Sequence, residues 1–385
     1  MPIYDKNGTE LSDFYDKSGN ALEYAYNKTG VQIWQKGGSP DPPTDPYLPN
    51  RILVFEDNFT GNALNTDKWE YEIGYCRNNE LQHYRPENAI VADGLLNLKA
   101  IKGHYAGDTK RNSTWTSASI TTNNRFEAFY GRWQAKIKFS GLVGSFPAFW
   151  LLGEGLDFIY FDDGTRCNRK GGFSTYPQCG EIDIDEQIPG NATTAQCNLW
   201  KYNSGYSAHR SATIDPTEWH IYEMEWTEST MTMMVDGVTT YSYDLSSDDW
   251  KAYRLPSPTG QNGFYAMLDH AVGASGGTPA SDTTEMNMYV DWVRVYAPAN
   301  YTQSMINADS ISIDSTMSLA VGGTGNLEVT WNPSLTFDRT TKWSSSNESV
   351  ATVNSGLVKG ISAGTAVITA TTNNGKTATC TVTVS

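Results

Sequence analysis

Between about Arg51 and Pro298, apolar residues return at every second position in short runs separated by Gly, Asn, Asp and Pro. LLNLKAI from Leu95, GRWQAKIKF from Gly131, IYEMEWT from Ile221, MTMMVDG from Met231 and MYVDWVRVY from Met288 carry the pattern. A period of two puts successive side chains on opposite faces of a strand. In GRWQAKIKF, Trp133, Ala135, Ile137 and Phe139 therefore share one face, and Arg132, Gln134, Lys136 and Lys138 the other. Long stretches with a helical period are scarce. The pattern predicts an all-β domain of two packed antiparallel sheets, a sandwich or jelly roll over residues 51–298, with Trp133 and Trp226 in its core.

The flanks differ. Residues 1–36 repeat at an 11-residue spacing: Tyr4-Asp5-Lys6-Asn7-Gly8, Tyr15-Asp16-Lys17-Ser18-Gly19 and Tyr26-Asn27-Lys28-Thr29-Gly30, with Leu11, Leu22 and Ile33 in phase. Each unit offers a Gly-ended turn and a short strand, so a small β-repeat module is expected. Residues 37–50, with Pro40, Pro42, Pro43 and Pro46, form a stiffened linker by composition. Residues 299–308 are a second expected linker. Residues 309–385 are rich in Thr, Ser, Val and Gly and hold about six short strands, a second, smaller sandwich. Their segment WSSSNESVATVNSGLVKGISAGTAVITAT resembles bacterial Ig-like domains of group 2. That resemblance implies a spacer or adhesion role outside the cytoplasm, with contacts to cell-surface glycans or other surface components.

The 385 residues carry 28 Lys and Arg against 43 Asp and Glu, a formal net charge of -15. Such acidity repels phosphate backbones and argues against a nucleic-acid partner. It disfavours sulfated polymers as well. Aromatic residues make up 12%, including 22 Tyr and 12 Trp, which suits the apolar faces of sugars. No apolar run reaches the roughly 18 residues of a membrane span. The start, MPIYDKNGTE, has neither the basic flank nor the apolar core of a secretory signal. Five Cys, at 76, 167, 179, 197 and 380, make no disulfide scaffold, although Cys167 and Cys179 bracket a polar loop and are candidates to pair.

The chemistry concentrates in Gly180-Glu181-Ile182-Asp183-Ile184-Asp185-Glu186. Four acids interleaved with Ile make a strand with a row of carboxylates on one face. Like charges this close repel and raise at least one pKa. A hard cation usually draws its oxygens from a loop with a Gly turn, and these acids lie in an alternating apolar strand instead. Glycoside hydrolysis fits better, since it needs a nucleophilic carboxylate and a carboxylic acid about 5–5.5 Å apart for retention. Glu181 and Asp183 share a face by alternation. Straight continuation adds Asp185, whereas one extra residue in a β-bulge adds Glu186, and spacing leaves both open.

The GEIDIDE run resembles the ExDxxE signature of glycoside hydrolase family 16, in its laminarinase-like branch. FEDNF, NNELQHY, YGRWQAKIKF, FPAFWLLGE, WHIYEMEWT, HAVG and YVDWVRVY resemble family blocks in the same order, across nearly all of residues 51–298. The resemblance implies a jelly roll and retaining endo-hydrolysis of a β-1,3- or mixed-linkage β-1,3/1,4-glucan. It assigns Glu181 as nucleophile, Glu186 as general acid/base and Asp183 as the helper between them. Asn79, Arg132, Gln134, Trp150 and Trp200 fall at or beside its sugar-binding positions. No cofactor is implied for catalysis, but a structural Ca²⁺ is, with Glu56, Gly94 and Asp291 as ligands. The resemblance also implies an extracellular or cell-surface location, and without a visible signal a virion-borne enzyme fits too.

The chain departs from the family pattern at Gln134 and Ser119, at AQCNLWKY, and at Asp269-His270. These departures leave the chemistry intact but open the linkage preference, so hydrolysis of a β-galactan of agar or porphyran type is a second reading. A third is a non-catalytic glucan-binding or adhesion protein, which the three retained carboxylates disfavour. His83 and His270 are expected to be structural rather than substrate contacts.

Overall fold

The computed structural model describes residues 24–26, 32–35, 48, 51–74, 78–108, 112–153, 156–159, 168–171, 179–188, 194–201, 205–254 and 263–385. Of the N-terminal repeats, strands Tyr24–Tyr26 and Gln32–Gln35 pair antiparallel. The other repeat units, nearly all of the proline-rich linker, and Cys76 and Cys167 lie outside the described residues.

Two sheets build the large domain. The first runs Tyr206–Thr213, Thr194–Trp200, Glu181–Glu186, Ser145–Gly153, Phe264–Val272, Ser119–Thr121 and Glu70–Glu72. The second runs Val238–Asp244, Thr230–Val235, His220–Trp226, Gly131–Phe139, Glu285–Tyr296, Leu95–Lys102, Trp115–Ser117 and Gln82–Tyr84. Strand Leu53–Asp57 also joins Glu285–Tyr296, and Ala89–Ala92 joins Leu95–Lys102. The pairings are antiparallel except Gln82–Tyr84 with Trp115–Ser117.

Alternation decides which side chains meet. Trp133, Ala135, Ile137 and Phe139 from the second sheet share one buried cluster with Phe149, Leu151, Ile182, Ile184 and Leu199 from the first. Trp133 and Trp226 are fully buried there. The intervening residues of the first sheet face away from this core. Ala148, Trp150, Leu152, Tyr265 and Met267 join Tyr84 and Cys179 in a second buried cluster on that other face. The sheet that carries the acids is thus backed by the main apolar core and fronted by a smaller layer that includes Tyr84, Trp150 and Tyr265.

The C-terminal segment forms its own small sandwich. Strands Thr316–Leu319, Thr377–Val384, Gly364–Thr372 and Thr341–Ser345 make one sheet, and Thr324–Asn326, Leu357–Gly360 and Ala351–Asn354 another. Leu327, Val358, Ile368, Cys380 and Val382 fill the space between them.

The two sandwiches are joined by more than a tether. In the stretch 299–308, Ile306 is buried in the large domain's core and Tyr301 packs against it. Phe337, from the small domain, enters the same core fully buried. Its ring lies 6.4 Å from Phe126 and 6.2 Å from Tyr301. Gly131 makes room for it: at φ +91 its backbone is strained for other residues, and a Cβ there would come within 2.9 Å of the Phe337 ring. Backbone bonds complete the seam. The Arg339 N–H donates to the Glu127 carbonyl at 2.8 Å, and the Glu127 N–H donates to the Thr340 hydroxyl at 2.8 Å. Ala128 bridges to both Asp338 and Phe264.

Truncating a buried Phe removes its transfer free energy and leaves a cavity. Phe337→Ala is expected to cost about 3–5 kcal/mol of stability in urea denaturation of the full chain. Leu335→Ala, at an exposed position two residues away, should cost within about 0.5 kcal/mol. Equal, small costs at both positions would remove Phe337 from the core.

Candidate active site

The acidic strand Glu181–Glu186 pairs with Ser145–Gly153 in a register that changes partway along. Glu181 faces Leu152, Ile182 faces Leu151 and Asp183 faces Trp150; then Asp185 faces Phe149 and Glu186 faces Ala148. Ile184 is the extra residue. Phe149 and Leu151 belong to the core, whereas Ala148, Trp150 and Leu152 lie on the opposite face. The bulge therefore turns Asp185 inward with Ile182 and Ile184. It brings Glu186 out beside Glu181 and Asp183. Of the two candidates for the third acid on this face, the backbone selects Glu186.

Glycine and tyrosine anchor the start of the strand. Gly180 sits at φ +86, and a Cβ there would lie 2.6 Å from the Phe264 ring and 3.0 Å from that of Tyr253. The buried Tyr253 hydroxyl accepts the Glu181 N–H at 3.1 Å and donates to the Trp200 carbonyl at 2.6 Å. This ties the acidic strand to its neighbour Thr194–Trp200.

That neighbour lines the acids with uncharged donors. The Asn198 amide donates to Glu186, and Gln196 donates to the same oxygen at 3.4 Å. The Trp200 side chain donates to Asp183. From the other side, Asp269 in strand Phe264–Val272 accepts the Trp150 indole N–H at 2.7 Å and the Tyr84 hydroxyl at 2.7 Å. Burial, and then the charge of Glu181, push the Glu186 carboxyl up to about 8. Burial and the neighbouring charges of Glu186 and Glu181 hold Asp183 well above the usual carboxylate range. Burial does the same to Asp185, whose carboxylate accepts the Gln187 amide behind the site. One face thus holds two half-buried glutamates, Glu186 beneath the amides of Asn198 and Gln196 and Glu181 at the strand's start. Such a pair can divide acid and nucleophile roles.

The sugar-binding residues expected from the sequence divide. Trp150 is buried beside Asp183, and the half-buried Trp200 packs 5.1 Å from the exposed Tyr206 ring. Asn79 is exposed in a turn with Asn78, both at positive φ, leading toward Tyr84. Arg132 and Gln134 are corrected. They lie on the other sheet, on the face opposite Trp133 and Ala135, where both bond to Glu223. Alternation with core residues turns them away from the acids. His270 is fully buried between Leu98 and Ser145, and His83 is fully buried beside Tyr105.

Three contributors were missed by sequence reasoning: Asn198, Gln196 and Asp269. The first two share a face with Trp200 by simple alternation in AQCNLWKY, a signal that was available. Asp269 stood out only as a departure.

The implied calcium donors do not fit a cation. The Glu56 carboxylate accepts Arg294 Nε at 2.9 Å, and Asp291 pairs with Lys136 Nζ at 2.9 Å. Gly94 lies in the turn after Ala89–Ala92. Each acid already faces its own cation. Among the described residues, no cluster of three or more His, Cys, Asp or Glu is set to hold a metal.

Comparison with known proteins adds three kinds of finding. The model described as "Glycosyl hydrolases family 16" matches residues 78–294, and "Bacterial Ig-like domain (group 2)" matches 307–382. The chain is 31% identical over 284 residues to glucan endo-1,3-beta-glucosidase A1 of Niallia circulans, covering 66% of this chain and 39% of that protein. It is 28% identical to the beta-glucanase of Rhodothermus marinus, covering 64% and 86%. Against clotting factor G alpha subunit of Tachypleus tridentatus it spans 36% of the relative, so it covers well under half of two of these curated proteins. Among solved structures, LamA of Z. galactanivorans in complex with laminaritriose and laminaritetraose matches at 30% identity and TM-score 0.52, covering 64% of this chain and 99% of that one. The laminarinase catalytic domain of Thermotoga maritima matches at 26% identity and TM-score 0.55, covering 64% and 98%.

The raised carboxyls predict a pH dependence of stability. Glu186 titrates at about 8 in the fold, against 4.5 for an ordinary glutamate. Between those values the folded state binds more protons than the unfolded state, so stability falls as pH rises through that window. Asp183 and Asp185 act with the same sign. Glu186→Gln is expected to flatten the decline of Tm across the window and to melt above wild type near pH 8. An unchanged slope in a thermal-denaturation series would contradict the Glu186 assignment.

Proposed function

The chain belongs to glycosyl hydrolase family 16, and on that premise we propose that it cleaves β-1,3- or mixed-linkage β-1,3/1,4-glucan internally, with retention, using Glu181, Asp183 and Glu186. The observation that carries this reading is the bulge at Ile184, which sets Glu186 on the face of Glu181 and Asp183. The glucan substrate is supported by the printed activities of the Niallia and Rhodothermus relatives and by the oligosaccharides in the LamA complex.

In the first step the Glu181 carboxylate attacks the anomeric carbon as the bond to the leaving oxygen breaks, and Glu186 supplies that oxygen's proton. A glycosyl ester forms on Glu181. Its charge is then gone, so the repulsion that kept Glu186 protonated falls and the carboxylate persists. Glu186 next takes a proton from water as that water attacks the same carbon, releasing Glu181. Asp183, between them, holds the nucleophile's orientation through both steps. Two carboxyl groups suffice for this chemistry, with no cofactor. Trp150, Trp200 and Asn79 are the proposed sugar contacts. The reading also takes the enzyme as acting outside the cytoplasm, at a cell or virion surface, with the Ig-like domain toward other surface components. Among the described residues no helix is long and apolar enough to cross a membrane.

The test is digestion of laminarin, barley β-glucan and agarose, with sizing of products and proton NMR of the first-formed anomer. Laminarin or barley glucan should give oligosaccharides that start as the β-anomer. Glu181→Gln should lower kcat by about 10³-fold or more while still binding oligosaccharide. Cleavage of agarose alone would move the substrate to galactans, and near-wild-type turnover by the variant would remove Glu181 as nucleophile.

A further inference from the structure

Cross-strand register places a fourth acid in line with Glu186. Ala148 pairs with Glu186 on one side and with Asp269 on the other. The three therefore form one row across adjacent strands, spaced about 4.8 Å apart. Residues directly across neighbouring strands share a face, so both acids lie on the face that holds the aromatic layer. The residue between them is alanine, which puts no bulk between the carboxylates. The row continues past Asp269 to Ser119 and Glu72, where the Ser119 hydroxyl donates to the Glu72 carboxylate.

Asp269 is buried, and both of its oxygens accept: Oδ1 from the Trp150 indole and Oδ2 from the Tyr84 hydroxyl. An indole N–H can only donate, so this partner set suits an ionised carboxylate. Trp150 in turn sits opposite Asp183. One buried charge thus fixes the aromatic layer and stands one row-mate from Glu186.

We propose that Asp269 is a positioning residue of the reaction centre, clamping Trp150 and Tyr84 in place and keeping the transferable proton on Glu186 through its negative charge. This rests on the hydrolytic reading above. The groups facing Glu186 come from four strands. On its own strand are the carboxyl groups of Glu181 and of Asp183, the latter held toward its neutral form, with Asp185 turned behind. Strand Thr194–Trp200 contributes the uncharged amides of Gln196 and Asn198, and strand Ser145–Gly153 the uncharged Ala148 and Trp150. Strand Phe264–Val272 contributes Asp269. The charges of Glu181 and Asp269 both favour the protonated form of Glu186, and Glu181 acts more strongly.

The test is Asp269→Asn in the full chain, which keeps an acceptor for the indole and removes the charge. Carboxyl carbon NMR of Glu186 without substrate should show its midpoint move below the wild-type value. The alkaline limb of kcat/KM should move the same way, so that activity falls more near pH 8 than near pH 6, while the acidic limb stays put. A residue that only filled space would not move either reading. If Asn at this position does not fold, Asp269→Ser carries the same titration. An unmoved midpoint in a folded variant, with wild type active on glucan, overturns the role of Asp269 alone. A wild type that cleaves no glucan at all overturns the hydrolytic reading and this role with it.

Discussion

A strand that alternates strictly gives every second residue to the same face. On that rule Glu181, Asp183 and Asp185 would line the outside and Glu186 would be driven into the apolar core. One extra residue, Ile184, inverts the outcome. It occurs where the partner strand passes from Phe149 to Trp150, from a core side chain to a surface-layer one. The inward side accepts Ile184 and Asp185 together, Asp185 being accommodated by Gln187. The identity of the outward acids, and so any chemistry they perform, follows from this single irregularity of the backbone.

Holding that many acids on one face works against the fold. Burial raises Asp183, Asp185 and Glu186 together, and their mutual repulsion adds to it. The structure offsets this with neutral donors rather than cations: Asn198, Gln196 and Trp200 on one side, Gln187 behind. A lysine or arginine in those places would stabilise the charged forms and strip the proton from Glu186. Cations are instead concentrated on the far sheet, where Arg132 pairs with Glu223 and Lys136 with Asp291. The two sheets divide the electrostatic labour between an acid-holding face and an ion-paired one.

Much of this was legible in the chain. The period-two runs indicated an all-β sandwich, and the acids interleaved with Ile marked the site. The pattern in GRWQAKIKF even separated Arg132 and Gln134 from the core face. What it did not tell was which sheet that strand would join, because alternation is a local property and sheet membership is not. Asp269 was hidden for the same reason: its partners Tyr84, Trp150 and Glu186 are distant in sequence and meet only through register. The stretch 299–308 is expected as a linker, yet Ile306 and Tyr301 are claimed by a core whose last piece, Phe337, comes from the following domain.

That insertion has a mechanical consequence. Ala128 is paired at once with Asp338 of the small sandwich and with Phe264, the first residue of the strand that carries Asp269 and ends at Val272. Tension applied to the C-terminal module is not taken up by slack chain but loads the sheet that bears the acids. Whatever holds that module would thereby hold the acid-bearing face as well, as a handle holds the part fixed to it.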